Sequence, residues 1–286
     1  MMKVDAQAPA KVNLTLHVTG RRPDGYHELD SLVVFADICD QLTITAAPGL
    51  QLTVNGPFST GVPTDERNIV LRAASALREA RGVRTGAAIA LEKHLPNAAG
   101  LGGGSSDAAA ALKALSQFWE VDPLPDGSPD LTTLGADVPV CLRAPAPTRM
   151  TGIGDVLTAT PRLPAFALVL VNPKVDVPTA EVFDGLTSTS NPPMSAIPKT
   201  DDLATFVDWV SSQRNDLLSP ARRIAPAIDQ AIARLSAMPK VLHAGMSGSG
   251  ATCFGIVPNM ADARQVARAI QVSEMSWWVA PAQMLR

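Results

Sequence analysis

Alternating apolar and polar side chains predict the first strand of the protein, between residues 11 and 18. A period of two residues is typical of a strand with one buried face and one exposed face. The apolar face carries Val12, Leu14, Leu16 and Val18, and the polar face carries Lys11, Asn13, Thr15 and His17. The pattern therefore predicts a half-buried strand at the edge of the core.

Similar local patterns predict the next elements. Two β-rich runs on either side of a Pro-Gly pair predict a hairpin over residues 41–56. Residues 65–82 predict a helix, with acidic residues at its start and a glycine at its end. Residues 86–96 then predict a strand that leads into a glycine-rich loop and an alanine-rich helix.

The second half of the chain predicts mixed strands and helices. Residues 130–142 predict a short helix and a turn, and residues 144–164 are rich in proline and glycine. This composition predicts a domain boundary, with domains 1–155 and 156–286. The elements predicted beyond it are a strand at 166–173, a helix from 179, a polar loop at 188–199, helices at 202–212 and 219–235, a strand–turn–strand at 238–257, a helix at 260–270 and a strand at 276–283. This order favours an α+β fold over a doubly wound sheet.

Composition narrows the class of protein. The 286 residues suffice for two domains or one large one, and a net charge of -3 without a basic block argues against a nucleic-acid partner. No stretch approaches the ~20 apolar residues of a membrane span, and no signal peptide is evident at the N-terminus. Cys39, Cys141 and Cys253 are far apart and form neither a CxxC motif nor a zinc-binding spacing. We expect a cytoplasmic protein with reduced thiols and no membrane partner; its oligomeric state, including a homodimer, stays open.

A glycine-rich loop precedes the alanine helix and carries the strongest chemical signal. Gly100, Gly102, Gly103 and Gly104 fall within five positions, and glycine is costly unless bare backbone is needed. The start of a helix offers unpaired N–H groups and a partial positive charge to an anion. We expect Ser105 and Ser106 to cap the helix and Asp107 to lie in its first turn. The loop matches neither the Walker A nor the Rossmann spacing, so a phosphate cradle of another type is favoured over a simple tight turn.

Further candidates lie outside this loop. A second cluster, Gly245, Gly248 and Gly250 with Ser247 and Ser249 between them, fits a ligand loop or an ordinary strand turn. Lys11 is either an exposed strand lysine or one half of a Lys–Asp pair. Asp137, among apolar neighbours, is a helix cap, a buried ion pair or a general base. Tyr26 and His27 follow a Pro-Asp-Gly turn and either pack locally or hold a base.

Two motifs together resemble a known family. The segments PNAAGLGGGSSDAA (96–109) and GMSGSGATCFG (245–255) resemble motifs of the GHMP kinases. The segments RPDGYHEL (22–29) and GADVP (135–139) are similar to the branch of that family that phosphorylates a cytidine-diphosphate sugar alcohol in the non-mevalonate isoprenoid pathway. The resemblance covers nearly the whole chain and implies a two-domain α+β fold with its active site in the cleft between the domains.

The resemblance also implies roles for single residues. Lys11 matches the active-site lysine, and Asp137 matches the aspartate that takes the proton from the substrate hydroxyl. The ATP loop matches Pro96, Asn97, Ala98, Ala99, Gly100, Leu101, Gly102, Gly103, Gly104, Ser105 and Ser106. The substrate-binding positions match Asn13, Tyr26, His27, Gly248 and Ser249. ATP is the implied phosphoryl donor with Mg²⁺, which we expect to be held mainly by phosphates and water, because no protein ligand for the metal is evident.

Two other functions remain open at this stage. One is a GHMP kinase for another small molecule, such as homoserine or mevalonate, although neither substrate has a base for the Tyr-His turn to hold. The other is a nucleotide-binding regulator without catalysis, although such a protein is expected to lose Lys11 or Asp137, and both are present.

Overall fold

The computed structural model of the protein describes residues 3–286, which form eleven strands and nine helices. The strands are β1 (Lys3–Asn13), β2 (His17–Arg21), β3 (His27–Ala47), β4 (Leu50–Asn55), β5 (Gly86–Glu92), β6 (Thr148–Gly152), β7 (Val156–Ala159), β8 (Ala167–Asn172), β9 (His243–Met246), β10 (Cys253–Val257) and β11 (Trp278–Gln283). The helices are α1 (Ile69–Ala80), α2 (Gly103–Phe118), α3 (Pro129–Leu134), α4 (Val138–Cys141), α5 (Thr179–Asp184), α6 (Leu203–Ser212), α7 (Leu218–Ile224), α8 (Ala227–Ser236) and α9 (Met260–Ser273).

Contacts between residues divide the chain into two compact units. Unit 1 comprises residues up to Ala10, Cys39–Asn97 and Gly102–Ala144. Unit 2 comprises Lys11–Ile38, Ala98–Leu101 and Pro145–Arg286. The division passes through β1 and β3, and the domain boundary near residue 155 stays a prediction.

In unit 1, β5 lies between β4 and the C-terminal part of β3. β4 runs parallel to β5, whereas β3 runs antiparallel to it, with Gln41 opposite Glu92. The predicted hairpin over 41–56 is therefore wrong, because a strand from further along the chain separates its two arms. Gly86 lies so close to Gly49, in the turn, that a Cβ atom on Gly86 would overlap the Gly49 backbone.

Two helices cover one face of these strands. The Asn68 side chain caps α1 by accepting the N–H of Val70 at 2.8 Å, and α1 packs against α2. The core of unit 1 includes Leu77, Ile89 and Leu115. The helix predicted at 65–82 and the strand predicted at 86–96 are both confirmed, within a few residues at their ends.

Unit 2 contains two sets of antiparallel strands. In the first, the N-terminal part of β3 pairs with β2 and with β6, and β6 pairs with β7. The strands β6 and β7 lie in residues 144–164, where the sequence predicts only a boundary. In the second, the order is β11–β8–β10–β9, which confirms the strands predicted around residues 166–173, 238–257 and 276–283. The helix predicted at 219–235 is interrupted near Pro226 and forms α7 and α8.

The strand predicted at 11–18 differs from the structure in two ways. β1 ends at Asn13 and β2 begins at His17, so the run is broken. All four residues of the predicted exposed face, Lys11, Asn13, Thr15 and His17, are buried. Residues 192–194 lie against this polar face: Thr15 Oγ1 donates to Met194 Sδ at 3.1 Å, and His17 Nδ1 lies 3.2 Å from the Pro192 carbonyl oxygen.

No helix within residues 3–286 combines the length and the apolar character that crossing a bilayer requires.

Candidate active site

The start of α2 differs from the predicted cap. The capping residue is Gly102, which adopts the left-handed conformation at φ 61°, and no side chain accepts a hydrogen bond from the first turn. Ser105 and Ser106 lie inside the helix, and the buried Ser106 Oγ donates to the Pro9 carbonyl at 2.7 Å. The prediction that these serines cap α2 is wrong, because the left-handed glycine already begins the helix and leaves its N–H groups bare.

The backbone before α2 has the form of an anion-binding nest. Positive φ angles occur at every second residue, at Ala98 (48°), Gly100 (73°) and Gly102 (61°). Alternation of this kind turns successive N–H groups toward a common point. The first N–H groups of a helix have no partner within it, and Gly104 in this turn is exposed. The local geometry is therefore suited to an anionic ligand.

In unit 2, the middle of the glycine loop is attached to the turn at residues 247–252, between β9 and β10. The Ser247 Oγ donates to the Gly100 carbonyl at 2.9 Å, and the Thr252 N–H donates to the Ala99 carbonyl at 3.1 Å. A Cβ atom on Gly100 would overlap the Ser247 carbonyl oxygen. Gly100, the first glycine of the loop, is therefore in direct contact with the second glycine cluster.

Asn13 lies beside the same turn. Its backbone N–H donates to Ser247 Oγ at 3.0 Å, and its Nδ2 donates to Ser31 Oγ at 2.8 Å. Its buried Oδ1 has no hydrogen-bond partner among residues 3–286. A Cβ atom on Gly248 would lie 3.5 Å from this oxygen, and the Ser249 and Thr179 hydroxyl oxygens are 2.8 Å apart. Unit 2 thus brings together Asn13, Gly248 and the centre of the glycine loop.

Lys11 is buried at the end of β1, with 4% of its surface exposed. Its backbone N–H donates to the Leu101 carbonyl at 2.9 Å, so it lies next to the glycine loop in unit 2. The interpretation of Lys11 as an exposed strand lysine is wrong, because the polar face of this segment is covered.

Asp137 belongs to unit 1 and is partly exposed just before α4. It is the capping residue of that short helix, but its side chain makes no capping hydrogen bond. The interpretation of Asp137 as an ordinary side-chain cap is therefore wrong. Two residues earlier, a Cβ atom on Gly135 would lie 3.5 Å from the Ser105 hydroxyl oxygen, so this segment lies against the start of α2.

Tyr26 and His27 lie at the end of a tight turn, where β3 begins. The turn is closed by a 2.8 Å hydrogen bond from the Arg22 N–H to the Tyr26 carbonyl, and the Tyr26 side chain is 58% exposed. The His27 ring stacks on Phe183 at a centroid distance of 5.0 Å and an angle of 24°. Burial, aided by the positive charge of Arg21, lowers the pKa of His27 below its ordinary value. The result is an aromatic surface with a neutral imidazole at neutral pH.

Three charged side chains meet inside unit 1, and the sequence analysis named only one of them, Asp107. The Lys93 ammonium forms ion pairs with Asp40 and, at 2.7 Å, with Asp107. Burial and the second carboxylate together raise the pKa of Asp107 to about 7, against the opposing effect of Lys93. Burial lowers the pKa of Lys93, but the charges of Asp107 and Asp40 outweigh it and raise that pKa.

A sequence signal for this cluster exists in β3. Asp40 shares its face of the strand with Leu42 and Ile44, so an acidic residue occupies a position where the pattern requires an apolar one. The expectation that Asp107 complements the helix start from its first turn is wrong, because it lies in the second turn and pairs with Lys93.

Comparison with known proteins identifies the family. The family model described as GHMP kinases N terminal domain matches residues 68–160, and that described as GHMP kinases C terminal matches residues 194–274. The chain belongs to the GHMP kinase family.

Individual relatives of this GHMP kinase cover nearly its whole length. A protein of Jannaschia sp. (strain CCS1) named 4-diphosphocytidyl-2-C-methyl-D-erythritol kinase is 52% identical over 98% of this chain and 96% of its own. A protein of Dinoroseobacter shibae with the same name is 54% identical over 96% of this chain and 92% of its own. The crystal structure of a 4-(cytidine 5'-diphospho)-2C-methyl-D-erythritol kinase superimposes with a TM-score of 0.79 at 31% identity, covering 99% of both chains. The predicted α+β GHMP kinase fold and the kinase activity are confirmed.

Proposed function

We propose that this kinase transfers the γ-phosphoryl group of ATP to the C2 hydroxyl of 4-diphosphocytidyl-2-C-methyl-D-erythritol, forming the 2-phosphate and ADP. The observation that carries the proposal is the similarity over nearly the full length to relatives that bear the name of this activity. The reaction is a step of the non-mevalonate pathway to isoprenoid precursors, and we place it in the cytoplasm.

The ATP phosphates bind at the glycine loop, Pro96–Ser106. The alternating positive φ angles at Ala98, Gly100 and Gly102 support this assignment, because they direct N–H groups to one side of the chain. The partial positive charge at the start of α2 adds to the attraction. In phosphoryl transfer the protein contributes mainly position and charge stabilisation, and rigid backbone donors supply both.

Asp137 is the general base for the substrate hydroxyl in this mechanism. Support comes from its partial exposure, which leaves it accessible to a substrate. Lys11 supplies positive charge that offsets the charge of the transferring phosphoryl group. Its burial supports this role, because a buried ammonium is weakly screened by solvent.

The aromatic surface of Tyr26, His27 and Phe183 holds the cytosine ring. The exposed Tyr26 ring and the His27–Phe183 stack offer faces for a planar base. A neutral imidazole carries one donor and one acceptor, which suits the polar edge of a pyrimidine. Asn13, Gly248 and Ser249 contact the sugar-alcohol part, and the unpartnered Asn13 Oδ1 is an acceptor for one of its hydroxyl groups.

Mg²⁺ accompanies ATP in this proposal and neutralises charge on the phosphates. Within residues 3–286 there is no group of three or more His, Cys, Asp or Glu residues placed to hold a metal ion. Mg²⁺ commonly keeps several waters and binds through substrate phosphates, so few protein ligands suffice.

The test is a coupled assay for ADP formation with three acceptors: the cytidyl substrate, homoserine and mevalonate. We expect turnover with the cytidyl substrate alone, since the other two have no base for the aromatic surface. Turnover with homoserine or mevalonate at a comparable kcat/KM would contradict the substrate assignment. ATP binding without phosphoryl transfer to any of the three would favour a regulator.

A further inference from the structure

Three buried charged residues lie behind the start of α2, and the proposed mechanism uses none of them. The exposed fractions of Asp40, Lys93 and Asp107 are 0%, 3% and 2%. Lys93 Nζ contacts Asp40 Oδ2 and lies 2.7 Å from Asp107 Oδ2, while Asp107 Oδ1 has no partner among residues 3–286. We call this group the Asp40–Lys93–Asp107 cluster.

A buried cluster of this kind is poorly explained by stability alone. Removing three charges from water is costly, and well-packed apolar residues of similar volume often stabilise a protein equally well or better. One ammonium also faces two carboxyl groups, so the cluster holds one acidic group more than the ammonium can neutralise. Its position in the chain offers a better explanation.

The cluster joins the two segments that flank the glycine loop. On the entry side, Asp40 Oδ1 accepts the N–H groups of His94 and Leu95, at 2.5 and 2.8 Å, immediately before the loop begins. On the exit side, Lys93 Nζ holds Asp107, in the second turn of α2. Because Asp40 belongs to β3, both flanks are tied to the same point of the sheet.

The first helical residue lies directly over the cluster. A Cβ atom on Gly103 would lie 3.5 Å from Lys93 Nζ and 3.8 Å from Asp40 Oδ2. The ammonium therefore lies directly beneath the first turn of α2, whose N–H groups are proposed to bind the phosphates.

We propose that Lys93 is a positioning residue for the nucleotide: through Asp40 and Asp107 it fixes both ends of the glycine loop, so that the N–H groups of α2 meet the ATP phosphates. This inference rests on the proposed function. Because Lys93 is buried, we expect it to act through the backbone of the loop and not by direct contact with a substrate.

The first test compares two substitutions of one residue. Asp107→Asn keeps a carbonyl oxygen for Lys93, whereas Asp107→Leu removes the acceptor at a similar size. We expect the KM for ATP to rise about tenfold in Asp107→Leu and to stay within about threefold of wild type in Asp107→Asn, because a hydrogen bond to a charged group is worth roughly that factor or more. The KM for the cytidyl substrate should change by less than about twofold in both variants, since the glycine loop is proposed to hold ATP and not the cytidyl substrate.

A second pair keeps the test decisive if Asp107→Leu does not fold. Lys93→Met combined with Asp107→Asn removes the ammonium while leaving one buried carboxylate, which retains its two N–H donors. Its KM for ATP should exceed that of Asp107→Asn alone by about tenfold. Equal values for this pair, or for Asp107→Leu and Asp107→Asn, would overturn the proposal.

A control separates positioning from general loss of stability. Leu77→Ala creates a cavity in α1 of the same unit and should lower the melting temperature without changing the KM for ATP. A rise in KM with Leu77→Ala equal to that with Asp107→Leu would assign the cluster a purely structural role. Absence of turnover by the wild-type enzyme would instead refute the proposed function. The role of the cluster would then be tested by calorimetric measurement of ATP affinity on the same variants.

Discussion

Gly100 is a residue at which one methyl group would meet two carbonyl oxygens. Its φ of 73° disfavours any side chain, and a Cβ atom would overlap the carbonyl oxygen of Ser247 and lie 2.8 Å from that of Gly250. Gly127 has nearly the same φ, 74°, but nothing lies within 4 Å of its Cβ position. Comparing substitutions at these two glycines therefore distinguishes the cost of backbone strain from the cost of steric overlap.

We predict that Gly127→Ala costs about 1–2 kcal/mol from backbone strain, and that Gly100→Ala costs a further ~1–3 kcal/mol because the turn at 247–252 must move. Gly100→Ala should also raise the KM for ATP, whereas Gly127→Ala should leave it unchanged. Denaturant unfolding and steady-state kinetics of both variants measure these effects. Equal losses of stability with an unchanged KM would show that the contact with Ser247 is unimportant.

Asp137 is the general base in the proposed mechanism. Asp137→Asn should lower kcat by about 10²- to 10⁴-fold, the usual contribution of a general base, while ATP affinity changes little. Asp130→Asn, at an exposed aspartate of α3 in the same unit, is the matched control and should be as active as wild type. Rapid turnover by Asp137→Asn would remove this residue from the mechanism.

The sequence alone predicted the conformation and burial of some single residues but not of others. The need for bare backbone at Gly100 and Gly102 follows from composition, and the positive φ angles agree. The wrong cap at Ser105 and Ser106 arose because serine usually caps helices, but here a left-handed glycine begins the helix instead. The burial of Lys11 was not predictable from alternation, because alternation cannot reveal that a second layer covers the polar face.

The turn between β9 and β10 is the element that holds the middle of the glycine loop. Ser247 Oγ, which is buried, donates to Gly100 and accepts from Asn13. Ser247→Ala leaves the partly buried Gly100 carbonyl and the buried Asn13 N–H without this partner, so we predict a loss of about 1–3 kcal/mol in stability and a higher KM for ATP. Ser190→Ala, at an exposed serine of unit 2, should change neither quantity.

A Ser247→Ala variant with wild-type KM and wild-type unfolding free energy would show that the turn does not position the loop. A loss of stability with an unchanged KM would limit Ser247 to a structural role.

Elements defined by local patterns were predictable, and their pairing was not. The strand–turn–strand at 238–257 follows from adjacent residues and is confirmed. The hairpin at 41–56 is wrong because β5 pairs with both of its arms, which no local pattern reveals. The same antiparallel register, with Gln41 opposite Glu92, places Asp40 beside Lys93; the cluster could therefore be recognised only once that pairing was known.

The stability of the whole molecule should depend on the ionisation of Asp107. Its pKa is about 7 in the folded protein and near 3.8 in the unfolded chain, so between these values the folded state binds more protons. The contribution of Asp107 to the free energy of unfolding therefore falls as pH rises from about 4 to about 7. Asp107→Asn removes this dependence.

We predict that the unfolding free energy of wild type minus that of Asp107→Asn decreases from pH 5 to pH 8. Denaturant titrations at four pH values measure this difference, and the subtraction cancels groups that titrate alike in both proteins. A difference that is constant or increases with pH would contradict a raised pKa for Asp107.

For the protein as a whole, the most direct measurement follows the phosphoryl group itself. Substrate labelled with carbon-13 at C2 is incubated with ATP and the enzyme, and the product is examined by phosphorus and carbon NMR. We predict a phosphate ester whose phosphorus couples to the labelled carbon, formed in equal amount to ADP. Formation of ADP without a product that shows this coupling, or a phosphate ester at another carbon of the substrate, would contradict the account.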